Sequence, residues 1–191
     1  MQIIRSLETI PYIENPVVTI GAFDGVHLGH QQIFKQLIQH AQKTGGHTVV
    51  ITFDPHPQQL LNPNSDFFLI QSLEDNIELI RQQGIDYLII IPFTMEFSQL
   101  STQEFIEEIL VNRIGAKGIV MGPNHFLGKN REGNHQIITD LCEKNNIEIV
   151  EIPEFVMNEN SVRSRKIRNH ILHQEIDKAI ILLGHDWVVK K

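Results

Sequence analysis

One cysteine, Cys142, stands in a chain of 191 residues, which excludes an internal disulfide and any zinc site built on cysteines. Long hydrophobic runs are missing as well. The longest, YLIIIPF at 87–93, falls far short of the roughly 20 apolar residues that a membrane span requires. The N-terminal stretch MQIIRSLETIPYIEN carries Arg5, Glu8 and Glu14 and has no small-residue cleavage site, which argues against a signal peptide. A cytoplasmic protein with no membrane partner is therefore expected. Positive charge is scarce too: 16 Lys and Arg face 23 Asp and Glu, a formal net charge of −7. That balance does not suit a non-specific grip on nucleic-acid phosphates, and no nucleic-acid partner is expected. Neither internal repeats nor low-complexity segments are present. What remains, 41% hydrophobic and 20% charged residues, is ordinary for one globular domain with a real core.

The few basic residues are unevenly spread. Lys129 and Arg131 share one short segment, and Arg163, Arg165, Lys166 and Arg168 fall within RSRKIR. Such clustering in an acidic chain suits a local site for a polyanionic small molecule. A solvated basic helix end accounts equally well for either stretch taken alone.

Strand-like and helix-like segments alternate. PVVTIG (16–21), HTVVITF (47–53), DYLIIIPF (86–93), KGIVMG (117–122) and IEIVEIP (147–153) read as short apolar strands. Between the first two, HQQIFKQLIQHAQ (30–42) puts Ile33, Phe34, Leu37, Ile38 and Ala41 on one helical face, and Gly45 and Gly46 stop it. Ser72 is placed to cap a helix over 72–84, Ser101 and Glu104 form a capping box, and a further helix is expected near 135–145. Helices at KIRNHILHQ and EIDKAIILLG close the chain. Strands apolar nearly throughout, each separated by an amphipathic helix, predict an α/β fold with a parallel sheet covered on both faces. In such sheets ligands bind beyond the carboxyl ends of the strands. GAFDGVHLGH, DPHP and GPNHFLGKNREG all fall there, so three distant loops are expected to converge on one edge.

GAFDGVHLGH (21–30) lacks both the G-x-G-x-x-G spacing of a dinucleotide fingerprint and the Lys-Ser/Thr of a P-loop. Three readings of its residues stand side by side. His27 and His30 are spaced to share a metal ion, although no cysteine assists and the H-E-x-x-H spacing is absent. They also suit a tight turn with local hydrogen bonds. The favoured reading is anion binding: Gly21, Gly25 and Gly29 let the backbone approach a ligand, and a helix starting near Leu28 aims its free N–H groups at that anion.

TIGAFDGVHLGH resembles the H-x-G-H signature of the nucleotidylyltransferase superfamily, in the form found in bacterial FAD synthetase, the FMN adenylyltransferase half of bifunctional riboflavin kinase/FAD synthetase. TFDPHP (52–57), the segment IPFTMEFSQLSTQEFIEEILV, GPNHFLGKNREGN and RSRKIR resemble further motifs of the same family, over about residues 3–186. The resemblance implies a Rossmann-like fold and transfer of AMP from ATP to FMN, giving FAD and pyrophosphate with Mg²⁺. His27, His30, Lys166 and Arg168 would carry the phosphates through the reaction. Gly21, Phe23, Asp24, Gly25, Gly29 and Ser164 would shape the ATP site, and Asp54, Pro55, His56, Pro57, Asn124, His125 and Arg131 the flavin side. No residue is assigned as a metal ligand.

Departures from the family pattern set the remaining expectations. Its Ser-Ser-Thr is Arg163-Ser164-Arg165 here, which predicts retained ATP binding with impaired geometry and turnover. Asn124 stands where an acidic residue is common, Leu127 where Phe is common, and Ala22 where Asn or Thr is usual. The chain ends at Lys191, where the family continues into a riboflavin kinase barrel. A 1–186 adenylyltransferase domain with a 187–191 tail is thus expected, with no kinase domain in this sequence: either a stand-alone enzyme supplied with FMN by a separate riboflavin kinase, or a piece of a longer protein. Two other readings stay open: a catalytically weak flavin- or nucleotide-binding regulatory module, and a nucleotidylyltransferase acting on another phosphorylated acceptor.

Overall fold

The computed structural model describes residues 1–122, 125–157 and 160–187. Six strands, β1 (Gln2–Ile4), β2 (Val17–Ile20), β3 (Thr48–Asp54), β4 (Tyr87–Pro92), β5 (Gly118–Met121) and β6 (Glu148–Glu151), form one sheet in the order β1-β4-β3-β2-β5-β6. Every neighbouring pair is parallel. The predicted parallel α/β fold is the one observed. β1 is an addition to the sequence reading, since three residues are too few to show a period. A small antiparallel pair, β7 (Val156–Met157) and β8 (Asn160–Ser161), lies outside this sheet.

Alternation along the strands explains the two covered faces. Val18 and Ile20, Val49 and Ile51, and Ile89 and Ile91 point to one core together with Phe105, Ile106 and Ile109. Val17, Val50, Leu88 and Ile90 point to the other, where Phe34, Leu37, Ile77 and Ile80 pack. That second layer consists of α1 (Leu28–Thr44) and α3 (Leu73–Gln82). α1 ends as predicted, with Gly45 in the left-handed region at φ 63°. Ser72 caps α3, and Ser101 and Glu104 make the expected capping box in front of α4 (Thr102–Glu104). α4 continues as a π-helical segment, Phe105–Ile114, and α5 (His135–Lys144) lies further along the chain. The wider π turn departs from the α-helical period, so the sequence pattern could not show it.

The chain leaves β2 towards β3 on one side and later returns to β5 on the other. The β2/β5 border is therefore the topological switch point, the place where an open parallel sheet receives ligands. α6 (Ser164–Leu172) and α7 (Ile176–Leu183) pack on each other and on Ile70 and Val162 as a third, smaller core. Trp187 belongs to this core and donates from Nε1 to the Ile70 carbonyl at 2.8 Å. The tail expected from residue 187 therefore begins no earlier than 188, and 188–191 lie outside the described residues.

Candidate active site

A cavity of about 1010 Å³ opens at the carboxyl edge of the sheet, at the upper end of the ~300–1,000 Å³ usual for ligand pockets. Gly21 after β2 and Gly122 after β5 both line it, so it straddles the switch point. Phe23, His27, Gly29 and His30 come from the first predicted loop, Pro57 from the second, and His125 from the third. The predicted convergence of three loops is realised.

The loop between β2 and α1 is strained. Phe23 and Val26 adopt φ of 46° and 36°, a region a β-branched residue such as Val26 almost never enters. Several hydrogen bonds over-determine this turn. The Gly25 N–H donates to Asn76 Oδ1 at 2.9 Å, and Gln31 Nε2 donates to the Val26 carbonyl at 3.0 Å. Gly25 itself sits at φ 79°, where a Cβ would approach Ile70 Cγ2 to 2.8 Å. The strain sets the direction in which α1 starts, and with it the histidines.

His27 is the N-cap of α1 and accepts the His30 N–H through Nδ1 at 3.3 Å. Because that nitrogen accepts, the neutral ring carries its proton on Nε2, which leaves a donor for a ligand oxygen. The His27 and His30 rings stack with centroids 3.6 Å apart, and Phe23 meets His30 edge-on at 5.2 Å. Burial pushes His27 down to about 4, and burial followed by the neighbouring His27 holds His30 well below the ordinary imidazole value. Both rings are thus neutral at physiological pH. His30 Nδ1 is buried and has no hydrogen-bond partner. His125 Nε2 is in the same condition, and burial, then His135, lowers His125 to about 4.

Asp24 and Arg168 were both expected at the nucleotide; the structure pairs them with each other, and neither lines the cavity, although the Arg168 charge is felt at His27 and His30. The Asp24 carboxylate, 2% exposed, accepts the Ile70 N–H at 2.9 Å, the Gln71 N–H at 3.1 Å and Arg168 Nη2 at 2.5 Å. Arg168 also donates to the Phe68 carbonyl at 2.8 Å and lies 4.3 Å over the Phe67 ring. Both groups are spent on holding the segment around 67–71 against α6. Gly25 and Lys166 do not line the cavity either.

The DPHP stretch divides. Pro57 faces the cavity as the first residue of the short helix α2 (Pro57–Leu61), an element the sequence reading had treated as loop. His56 caps that helix, accepting the Gln58 N–H at 3.0 Å, and its ring packs on Phe67 at 4.6 Å. Asp54 and His56 instead line a small second pocket of about 30 Å³, and Pro55 lines neither. Asn124 and the side chain of Arg131 lie outside the described residues.

The aromatic wall and Glu154 were not read from the sequence. Phe93 and Phe97, with Phe53 and Phe105, form a linked aromatic cluster along one side of the cavity. Glu154 also lines the cavity, paired at 2.5 Å with Arg163, and Arg163 and Arg165 of the basic cluster line it as well. The aromatics gave no signal because apolar residues at strand ends read simply as core.

A six-stranded parallel sheet with an H-x-G-H turn opening a helix at the switch point defines a nucleotide-binding α/β protein of the nucleotidylyltransferase class. The FAD synthetase family model matches residues 10–166, and the chain belongs to that family. Among its relatives is the bifunctional riboflavin kinase/FMN adenylyltransferase of Buchnera aphidicola subsp. Acyrthosiphon pisum, 35% identical over 185 residues. The match covers 96% of this chain and 59% of the relative, so the chain spans under two thirds of that protein's length. The FAD synthetase of Listeria monocytogenes is 30% identical over 175 residues, covering 91% of this chain and 70% of that one. Of the solved structures, a Streptococcus pneumoniae chain described as a macrolide-efflux protein superposes with TM-score 0.85 at 26% identity, over 97% of this chain and 60% of that one. Among the described residues no helix is long and apolar enough to cross a membrane. Pantoate-β-alanine ligase from Francisella tularensis shares the fold, with TM-score 0.60 at 16% identity, over 97% of this chain and 80% of that one.

Proposed function

We propose that this chain is an FMN adenylyltransferase, transferring AMP from ATP to FMN to give FAD and pyrophosphate. One observation carries the reading beyond family membership: a partnerless buried imidazole nitrogen, His30 Nδ1, stands beside His27 at the start of α1 in a cavity large enough for two substrates. Buried polar atoms without partners are rare and costly, and this one belongs to a ring that lines the cavity. A helix N-terminus beside it adds free N–H donors and a positive dipole end.

In this reading an oxygen of the FMN phosphate attacks the α-phosphorus of ATP, and the bond from that phosphorus to the bridging oxygen of the β-phosphate breaks. Pyrophosphate leaves with the bonding electrons. No protein nucleophile is needed; the chain positions both substrates and stabilises the charge that develops. The His27 Nε2–H donates to a phosphate oxygen, and the His30 ring lies beside it in the cavity wall. Phe93, Phe97 and Pro57 offer the apolar wall that a flavin ring requires, and His125 lies close to its phosphate. Mg²⁺ enters here as part of the substrate, MgATP. Among the described residues no group of three or more His, Cys, Asp or Glu side chains could hold a metal ion, and the only carboxylate in the cavity wall, Glu154, is paired with Arg163. The reaction is placed in the cytoplasm, in keeping with a single buried thiol, with FMN made by a riboflavin kinase.

The test is incubation of the purified chain with ATP, MgCl₂ and FMN, with FAD and pyrophosphate followed together and riboflavin as the control acceptor. FAD and pyrophosphate in equal amounts from FMN, and none from riboflavin, are expected. Binding of ATP and FMN without FAD would instead favour a regulatory module.

A further inference from the structure

The segment after α7 is bound to the strained turn that precedes α1. α7 ends at Gly184, in the left-handed region at φ 73°, and a Cβ there would stand 2.3 Å from Cδ2 of Leu28, the first residue of α1. Gln31 of α1 donates from Nε2 to two carbonyls at 3.0 Å each, that of Val26 in the turn and that of Leu183 in α7. Immediately after Gly184, His185 Nε2 lies 2.8 Å from the carbonyl of Gly25, 160 positions earlier in the chain. A carbonyl oxygen only accepts, so Nε2 is the donor. Nδ1 lies 2.9 Å from the Asp186 carbonyl, and the Gly25 bond is made both by the neutral ring with its proton on Nε2 and by the imidazolium. Trp187 then donates to the Ile70 carbonyl at 2.8 Å, and the Ile70 N–H is itself held by Asp24. Residues 184–187 thus cross the turn as a strap.

We propose that His185 is a positioning residue for adenylyl transfer: through the Gly25 carbonyl it holds the turn in the shape that sets His27 and His30 in the cavity wall. This rests on the adenylyl-transfer reading. The Gly25 carbonyl belongs to the planar peptide unit that leads into Val26, so its direction fixes the ψ of Gly25 and the φ of Val26 together. Val26 stands at φ 36°, a costly conformation that persists only where surrounding contacts over-determine it. The Gly25 N–H, bonded to Asn76 Oδ1 at 2.9 Å, anchors the preceding peptide unit; His185 anchors the one that matters for Val26. Val26 is followed directly by His27, the N-cap of α1. Without the His185 bond the Gly25–Val26 peptide unit is free to turn and relieve Val26, and the His27 ring turns with it.

His185 does not line the cavity, so it acts on the reaction only through the turn. Such an action falls on rate: a misplacement of about 1 Å in reacting groups costs on the order of 10² in turnover. The apolar wall offered to the flavin, Phe93, Phe97 and Pro57, lies on other elements, and FMN affinity is independent of the strap.

The experiment compares the full chain with His185→Gln and His185→Asn, by FAD assay and by the imidazole ¹⁵N signals of His27 and His30 in the ligand-free protein. A glutamine amide reaches the place of Nε2 and keeps the bond to Gly25, whereas asparagine is too short. Both replacements are polar and His185 is only half-buried, so the fold is retained. His185→Asn is expected to lower kcat about ten- to a hundredfold, to leave the KM for FMN unchanged and to shift the His27 and His30 signals. His185→Gln is expected to resemble the wild type in all three. Equal kcat in His185→Asn and wild type, an equal loss in both variants, or unmoved histidine signals in His185→Asn overturns the proposal. Signals that move in His185→Asn and not in His185→Gln, in a protein whose wild type makes no FAD, uphold the hold of His185 on the histidines and overturn the adenylyl-transfer reading alone.

Discussion

The stretch GAFDGVHLGH has two halves with opposite surroundings. Its Asp24 end is turned inward and fully partnered, with two backbone N–H groups and a guanidinium on one carboxylate. Its His27–His30 end faces the cavity, and there one ring nitrogen is buried with nothing to bond. Both halves are polar and buried, yet only one is complete within the chain. A satisfied network specifies the fold, whereas an unsatisfied one is completed by a ligand.

Breaking the inward half tests this contrast most heavily. Asp24→Ala leaves the Arg168 guanidinium buried without its carboxylate, and loss of one partner of a buried pair costs about 3–5 kcal/mol. Urea denaturation of the variant should show a loss of that size, and a change under 1 kcal/mol would make Asp24 dispensable to the fold. On the cavity side the effect falls on rate. His30→Ala removes a transition-state contact worth roughly 2.7–4 kcal/mol, about 10² to 10³ in turnover. The variant also loses the ring contacts with His27 and Phe23, so its denaturation is followed alongside and the rates are compared where both proteins are folded.

The pH dependence sharpens the same comparison. His27, His30, His56 and His125 are all held below the ordinary imidazole value of 6.5 in the folded chain, with burial the first cause in each. As pH falls below about 6.5 the unfolded chain takes up protons that the folded chain refuses. The stability these neutral rings contribute is therefore complete above about 6.5 and is lost as pH falls towards 4. Thermal melts in the absence of ligand should show this decline, and replacing His125 by Phe should make it shallower. The smallest expected change in stability is at the exposed Arg163–Glu154 pair: Glu154→Gln should alter unfolding free energy by no more than about 1 kcal/mol, measured by urea denaturation.

Much of the molecule was legible in the chain. Short, nearly continuous apolar runs placed the five longer strands and a 3.6 period placed α1, and Ser72, Ser101, Glu104 and Gly45 marked helix ends that the structure contains. His27, Gly29 and His30 were readable as cavity residues because a glycine-rich turn opening a helix has a local signature, whereas Ser164 was reached only through the family resemblance. Pairings across long separations were not readable. Nothing near Asp24 announces a partner 144 positions away, and nothing in RSRKIR tells which of four cations face a ligand. That choice depends on the phase at which α6 begins, which is set by packing on α7 and Ile70. Strain at Phe23 and Val26 was equally hidden, since neither residue type favours positive φ.

The most direct test of the account is a single-turnover measurement of FAD formation from MgATP and FMN, with wild type and folded His30→Ala compared at saturating substrate. The account predicts FAD from the wild type and a rate about 10² to 10³ lower in the variant. Equal rates would remove the partnerless imidazole from the chemistry, and no FAD from the wild type would contradict adenylyl transfer itself.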